Sequence, residues 1–181
     1  MYKDKGYRFE PCSNSKNHRL PFELDLRVFV YDDINRFDLD LIKEDKLNFT
    51  PGGEFLVLIH NDAVIGIVGW KYEIINDIIF LQYNAGWVHP KYRHMGVYNY
   101  LFAQRECLVS ETFDVPFKHF FTFATLSSLP TFLKYGFVED HKLSASDIDF
   151  IDAMKEQGTL LTKVIRNDFY KEKEIAYARI H

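Results

Sequence analysis

The sequence predicts a single-domain α/β protein: a mixed, mostly antiparallel sheet flanked by helices. Apolar segments of strand length alternate with segments of helical spacing in the order β-α-β-β-β-α-β-α-β. Two Asn-Asp pairs, Asn61-Asp62 and Asn76-Asp77, separate consecutive apolar runs, and turns that short join antiparallel neighbours. At 181 residues, 47% hydrophobic and 27% charged, the chain has the makeup of one globular domain with a full core.

Residues 1–19 read as a loop-rich N-terminal segment that ends in the polar run "PCSNSKNHR". In "FELDLRVFV", Phe22, Leu24, Leu26, Val28 and Val30 face one way and Glu23, Asp25 and Arg27 the other, the pattern of a half-buried strand. Asp32 or Asp33 then caps a helix carrying Ile34, Phe37, Leu41 and Ile42, which ends before "TPGG". Strands follow at Glu54 to His60, Ala63 to Ile75 and Ile78 to Val88, the last stopped by Pro90, which has no N–H for a ladder. Val97, Leu101, Phe102, Leu108 and Val109 have the spacing of a helix. Phe117 to Leu126 is a fifth strand, and "SSLPTFLKYGF" a short helix closed by Gly136. Phe137 opens a further strand. A helix between Ser146 and Gly158 and a strand at "TLLTKVI" follow, and residues 166–181 are expected to form a peripheral helix.

A net charge of −4 argues against broad nucleic-acid binding, which needs a basic face. No apolar run approaches the roughly 18 residues of a membrane span, and the lysines of the first ten residues have no apolar segment behind them, so neither a membrane anchor nor a secretory signal is expected. Cys12 and Cys107 make no disulfide framework; two free thiols in a reducing compartment, and hence a cytoplasmic protein, is the expectation.

The stretch "GWVHPKYRHMGVYNYLF", Gly86 to Phe102, carries the chemistry. A strand that halts at a proline and turns through Arg93-His94-Met95-Gly96 into a helix leaves that helix's first N–H groups unpaired. With the helix dipole they suit an anion, phosphate above all. Gly96 removes a side chain where backbone must approach such a ligand, and Arg93 adds a matching charge. The same residues also suit a plain strand-to-helix turn with Arg93 solvated, and the local chemistry leaves both readings open.

The element order and a second segment bear on that choice. "VHPKYRHMG" is similar to the pyrophosphate-loop pattern V-x-P-x-(Y/F)-R-x-x-G of the GNAT superfamily of acyl-coenzyme A N-acyltransferases, through Val88, Pro90, Tyr92, Arg93 and Gly96. "FLKYGF", Phe132 to Phe137, resembles the family's later Gly-Phe segment. The resemblance implies a fourth strand splayed from the fifth, with backbone near Trp87 and Val88 left for the pantetheine arm. It also implies acetyl-coenzyme A as co-substrate, its diphosphate held by the amides of Arg93, His94, Met95, Gly96, Val97 and Tyr98. Thr125 stands where relatives keep a pantetheine-binding asparagine, and Phe132 where many keep the tyrosine that protonates the leaving thiolate. The family pattern often has Gly or Ala where this chain has Tyr98, whose ring must turn away from the diphosphate.

Phenylalanine donates no proton, so the acid's role is vacant or has moved; Ser127, Ser128 and Tyr135 are the nearby hydroxyls. The fourth strand offers Gln82, Tyr83 and Asn84, none a base at neutral pH. Tyr83 and Ser128 are therefore the candidate catalytic residues, each with a structural alternative, packing for Tyr83 and helix capping for Ser128. His89 and His94 lack further ligands at metal-binding spacing, so no metal is expected.

The leading expectation is an acetyl-coenzyme A-dependent N-acetyltransferase acting on a small-molecule or peptide amine, with homodimerisation through an exposed strand or the C-terminal helix open. The rivals are a non-catalytic acyl-coenzyme A-binding or interaction module of the same fold, and a transferase of a larger acyl group or to an unusual acceptor.

Overall fold

The computed structural model describes residues 7–8, 11, 20–21, 23–34, 47, 49, 51–75, 78–112, 117–126, 128–139 and 159–166. The chain gathers into two compact units, one of Met1–Lys71 with Asn84–Phe113 and one of Tyr72–Tyr83 with Asp114–His181.

In the first unit, strands β1 (Tyr7–Arg8), β2 (Asp25–Val30), β3 (Glu54–His60) and β4 (Ala63–Ile75) pair antiparallel in sequence order. The two-residue strand β1 lies within the segment expected to be loop, so each predicted strand number rises by one and the predicted fourth strand is β5 (Ile78–Val88). Asn61 and Asp62 turn between β3 and β4 with φ of 50° and 60°, the left-handed pair that a tight hairpin asks for and that Asn and Asp tolerate. The end of β5 lies beside the start of β4, where the His89 N–H donates to the Ile65 carbonyl at 2.9 Å.

Helix α1 (Tyr31–Ile34) begins directly after β2, with the Tyr31 N–H held by the Gly53 carbonyl at 3.0 Å. Asp32 and Asp33 therefore stand inside its first turn, where they complement the dipole, rather than capping ahead of it. The expected continuation through Phe37, Leu41 and Ile42 lies outside the described residues, as do the expected helix ahead of Gly158 and the C-terminal one.

The alternation of β2 breaks near its end. Phe29 is buried at 1% exposure and Val30 stands out at 45%, because the register pairs Phe29 with Phe55 and Arg27 with Val57. Residues 25, 27 and 29 thus share the face of the core, where Phe29, Ile34, Phe55, Val57, Ile59, Val64, Ile67 and Trp87 pack together. Asp25 and Arg27 lie on the same face and pair with each other at 3.1 Å. Leu26 is buried on the opposite face, so a strand covered on both sides does not alternate simply.

That second face carries helix α2 (Val97–Thr112). The helix comes close enough that a Cβ on Gly66 of β4 would lie 2.6 Å from Leu101 and 3.0 Å from Val97. Arg105, at 1% exposure, donates from Nη1 to the Gly69 carbonyl at 3.0 Å, and its guanidinium stands 4.7 Å from the centre of the Phe102 ring. Cys107, also on α2, is disulfide-bonded, which overturns the expectation of free thiols and removes its argument for a reducing compartment. Two cysteines far apart in sequence give no local sign of pairing. Among the described residues, no helix is long and apolar enough to cross a membrane.

In the second unit, Ile79 to Gln82 of β5 pair in parallel with Lys118 to Phe121 of β6 (Phe117–Ala124), the relation that a helical connection between strands permits. Strand β6 pairs antiparallel along its length with β8 (Thr159–Arg166), which carries β7 (Val138–Glu139) on its other side. Strand β6 stops two residues short of the expected Leu126, since the Thr125 carbonyl accepts from the Ser128 and Leu129 amides at 3.0 and 2.9 Å and turns the chain. Helix α3 (Leu129–Lys134) closes as its glycine predicts. Gly136 sits at φ 84°, its N–H donates to Leu133 and the Phe137 N–H to Phe132, both at 3.1 Å.

A Cβ at Gly69 would collide with the Asn84 side chain and stand 2.8 Å from the ring of Phe55, which is fully buried. Gly69→Ala is expected to lower the unfolding free energy by about 2 kcal/mol, read from the midpoint of urea denaturation.

Candidate functional site

The strand leading into the Arg93–Gly96 turn is kinked. Ala85 has a left-handed φ of 51°, a conformation costly for a residue with a Cβ. As a result Asn84, against Gly69 and beside Phe55, and its neighbour Ala85 both reach the core face, while Gly86 turns to the opposite face, against Tyr98. Irregularities of this kind re-aim a strand's groups, and they gather where backbone must serve a ligand.

Beyond β5, a short 3₁₀ turn (Pro90–Tyr92) makes the corner. His89 caps it: the Lys91 N–H donates to His89 Nδ1 at 3.1 Å. Trp87, His89, Tyr92 and His60 form a run of edge-on rings with centroids 5.6 to 6.1 Å apart. The histidines thus have structural partners, and among the described residues no group of three or more His, Cys, Asp or Glu is placed to hold a metal ion.

The loop that follows has an anion-binding form. His94 and Gly96 are left-handed, at φ 63° and 84°, and a Cβ on Gly96 would meet nothing within 4 Å, so the loop opens to free space there. Alternation of left- and right-handed residues turns successive N–H groups to one side. The Gly96 carbonyl accepts the first helical bond, from the Tyr100 amide at 2.9 Å, which leaves the amides of the first turn of α2 directed out of the helix end. That turn contains no acidic residue, and Lys91, Arg93, His94 and Met95 are all exposed beside it. The residues present therefore fit a diphosphate.

The predicted site residues fall into two groups. In the first unit, Trp87, at 6% exposure, belongs to the core, and Val97, at 1%, packs toward Gly66. Arg93 Nε donates to the Val88 carbonyl at 3.0 Å, so that carbonyl, expected to be unpaired, is occupied. An arginine is long enough to fold back over the corner and pin the strand end. The Tyr98 ring lies over Gly86, turned down onto β5. Arg105 favours the ionised form of its phenol, but burial outweighs this and pushes the pKa up.

In the second unit, Thr125 and Ser128 come together, Oγ to Oγ at 3.2 Å, and the Ser128 hydroxyl donates to the Thr125 carbonyl rather than capping α3. Tyr83, at 2% exposure, packs against Phe120 and Phe137, with ring centroids 5.4 and 5.8 Å away. Phe132, at 4%, stands edge-on to Phe137 at 5.1 Å. Ser127 lies outside the described residues.

Sequence reasoning passed over Gly86 and Arg105. A glycine inside a strand marks a close approach, and Tyr98 and Arg105, seven apart, share one face of a helix; these were the available signals.

No family model matches the sequence, and no curated protein matches it. Solved structures do match the fold. The N-acetylglutamate synthase of Neisseria gonorrhoeae, complexed with coenzyme A and N-acetyl-glutamate, superposes with a TM-score of 0.59 at 14% identity; the match covers 80% of this chain but only 36% of the synthase. Tetrahymena GCN5 matches with a TM-score of 0.51 at 16% identity, over 80% of this chain and 97% of its own. A GNAT-family acetyltransferase of Streptococcus pneumoniae matches with 0.51 at 15%, over 79% and 100%. The chain has the GNAT fold.

Burial pushes the Tyr100 phenol up to about 12, and among the described residues its hydroxyl has no hydrogen-bond partner. An unfolded tyrosine ionises near pH 10, so between about pH 10 and 12 the unfolded chain releases a proton that the folded one keeps, and stability falls as pH rises. Tyr100→Phe is expected to remove about 1–2 kcal/mol of that alkaline loss and to cost nothing at pH 7, read from urea midpoints across the pH series.

Proposed function

We propose that this protein is an acetyl-coenzyme A-dependent N-acetyltransferase acting on a small-molecule or peptide amine. The observation that carries the reading is the loop from Arg93 to Gly96, with two left-handed residues opening to free space at an acid-free helix start. The amides of Gly96, Val97 and Tyr98 bind the diphosphate, and the exposed Lys91 adds positive charge beside it. The reading asks the β5–β6 ladder to end ahead of Trp87 and Val88, whose backbone, apart from the Val88 carbonyl that Arg93 holds, serves the pantetheine arm. Support comes from the ladder itself: its last pair is Gln82 with Phe121, and the next carbonyl, of Tyr83, accepts instead from the Thr122 hydroxyl at 3.0 Å.

In the reaction the nitrogen lone pair of a neutral amine attacks the thioester carbonyl. Backbone N–H near Val88 stabilises the oxyanion, the C–S bond breaks as the C–N bond is kept, and the amine proton passes to solvent while coenzyme A leaves as thiolate. No step is assigned to Tyr83, which is packed among phenylalanines. Catalysis then rests on positioning and on the oxyanion contact.

A second reading, a non-catalytic acyl-coenzyme A binder of this fold, is favoured by Phe132, buried where many relatives keep an acid. Release of coenzyme A thiol with a panel of primary amines separates the two, since turnover above the uncatalysed rate excludes the second.

Calorimetric titration with acetyl-coenzyme A is expected to show binding by the wild type and at least tenfold weaker binding by Gly96→Trp, with circular dichroism unchanged. A folded wild type that does not bind would overturn the proposal.

A further inference from the structure

We propose that Arg105 is a positioning residue for the diphosphate loop, acting through Tyr98; the inference rests on the coenzyme-binding reading above. The amides of the first turn of α2 are useful only if that turn is seated at a fixed height over β5. Tyr98 stands in this turn, and its ring seats it: a Cβ on Gly86 would be 2.8 Å from the ring and 2.9 Å from the hydroxyl. The contact falls directly before Trp87 and Val88. At this contact the chain has a large side chain in the helix and none in the strand.

A ring alone can slide. Arg105, two turns along the same helix face, supplies the stop. Its guanidinium ties to the β4 backbone by the 3.0 Å bond from Nη1 to the Gly69 carbonyl and stands 4.7 Å from the centre of the Phe102 ring, which in turn meets the Tyr98 ring edge-on at 6.3 Å; its charge also favours the ionised form of the Tyr98 phenol. Gly69, in β4, and Gly86, in β5, are thereby joined through one side chain pair on α2. Placing a guanidinium at 1% exposure costs desolvation that an apolar side chain would avoid, and its planar face can lie against the Phe102 ring while Nη1 holds the Gly69 carbonyl, an arrangement a compact ammonium does not reproduce. The guanidinium therefore serves a geometric purpose: it holds the ring, and the ring holds the amides.

The test is a double-mutant cycle read in two quantities, the Kd for acetyl-coenzyme A by calorimetry and the melting temperature. Tyr98→Phe keeps the ring and removes only the hydroxyl; affinity is expected to fall three- to tenfold with melting close to wild type. Arg105→Met is expected to lose at least tenfold, Arg105→Lys to recover little of it, and the double variant to bind no more weakly than Arg105→Met alone, since the two groups act as one unit. Wild-type affinity in Tyr98→Phe, or losses that simply multiply in the double variant, would overturn the positioning role. Tyr98→Phe decides the matter by itself should Arg105→Met fail to fold. A wild type that does not bind acetyl-coenzyme A sinks the coenzyme reading and this inference together, whereas binding indifferent to these variants sinks this inference alone.

Discussion

The close seating of α2 on β4 and β5 is the constraint from which the rest of the first unit follows. Gly66 admits Val97 and Leu101, Gly69 presents its carbonyl to Arg105, and Gly86 lies under the Tyr98 ring. Glycine weakens a strand interior, having no side chain to pack. Here that loss is offset by the burial of Val97, Leu101, Phe102 and Arg105, each at no more than 1% exposure. Seating the helix fixes the position of its first turn, and with it the loop that ends β5.

Backbone strain gathers at the same place. Ala85 and His94 are both left-handed although neither is glycine, and they flank the corner that Pro90 begins. Each costs on the order of 1 kcal/mol or more and persists because its surroundings leave no alternative. For Ala85 these are the core on one side and the Gly86–Tyr98 contact next to it. For the corner they are the Arg93 bond to Val88 and the His89 cap. The strain and its supports belong to one device, a strand end shaped by contacts rather than by local preference.

The second unit tells a different story. Tyr83, Phe120, Phe132 and Phe137 have the aromatic character that a site invites, yet all four are buried, and Tyr83 and Phe132 meet the others edge-on or tilted. A buried aromatic cluster contributes to stability through area and ring geometry. The polar pair in this unit, Thr125 and Ser128, spends its hydroxyls on the turn that ends β6.

Much of this was determined by the sequence alone, and for reasons that are local. The Asn61-Asp62 hairpin, the end of β5 before Pro90 and the Gly136 closure of α3 depend on which residues tolerate a left-handed backbone or lack an N–H, and such preferences act over a few residues. The loop chemistry of Arg93 to Gly96 was legible for the same reason, and the pattern of elements led to the fold. What only the tertiary structure decided involves partners distant along the chain. Phe29 faces the core and Val30 does not, because the register pairs Phe29 with Phe55. Arg105 is buried because a β4 carbonyl thirty-six residues away accepts its hydrogen bond. The Val88 carbonyl is occupied because Arg93 folds back onto it, and Cys107 is bonded rather than free. Periodicity and motif describe the chain in its own neighbourhood; register, close approach and pairing are properties of surfaces that exist only once the strands and helices have met.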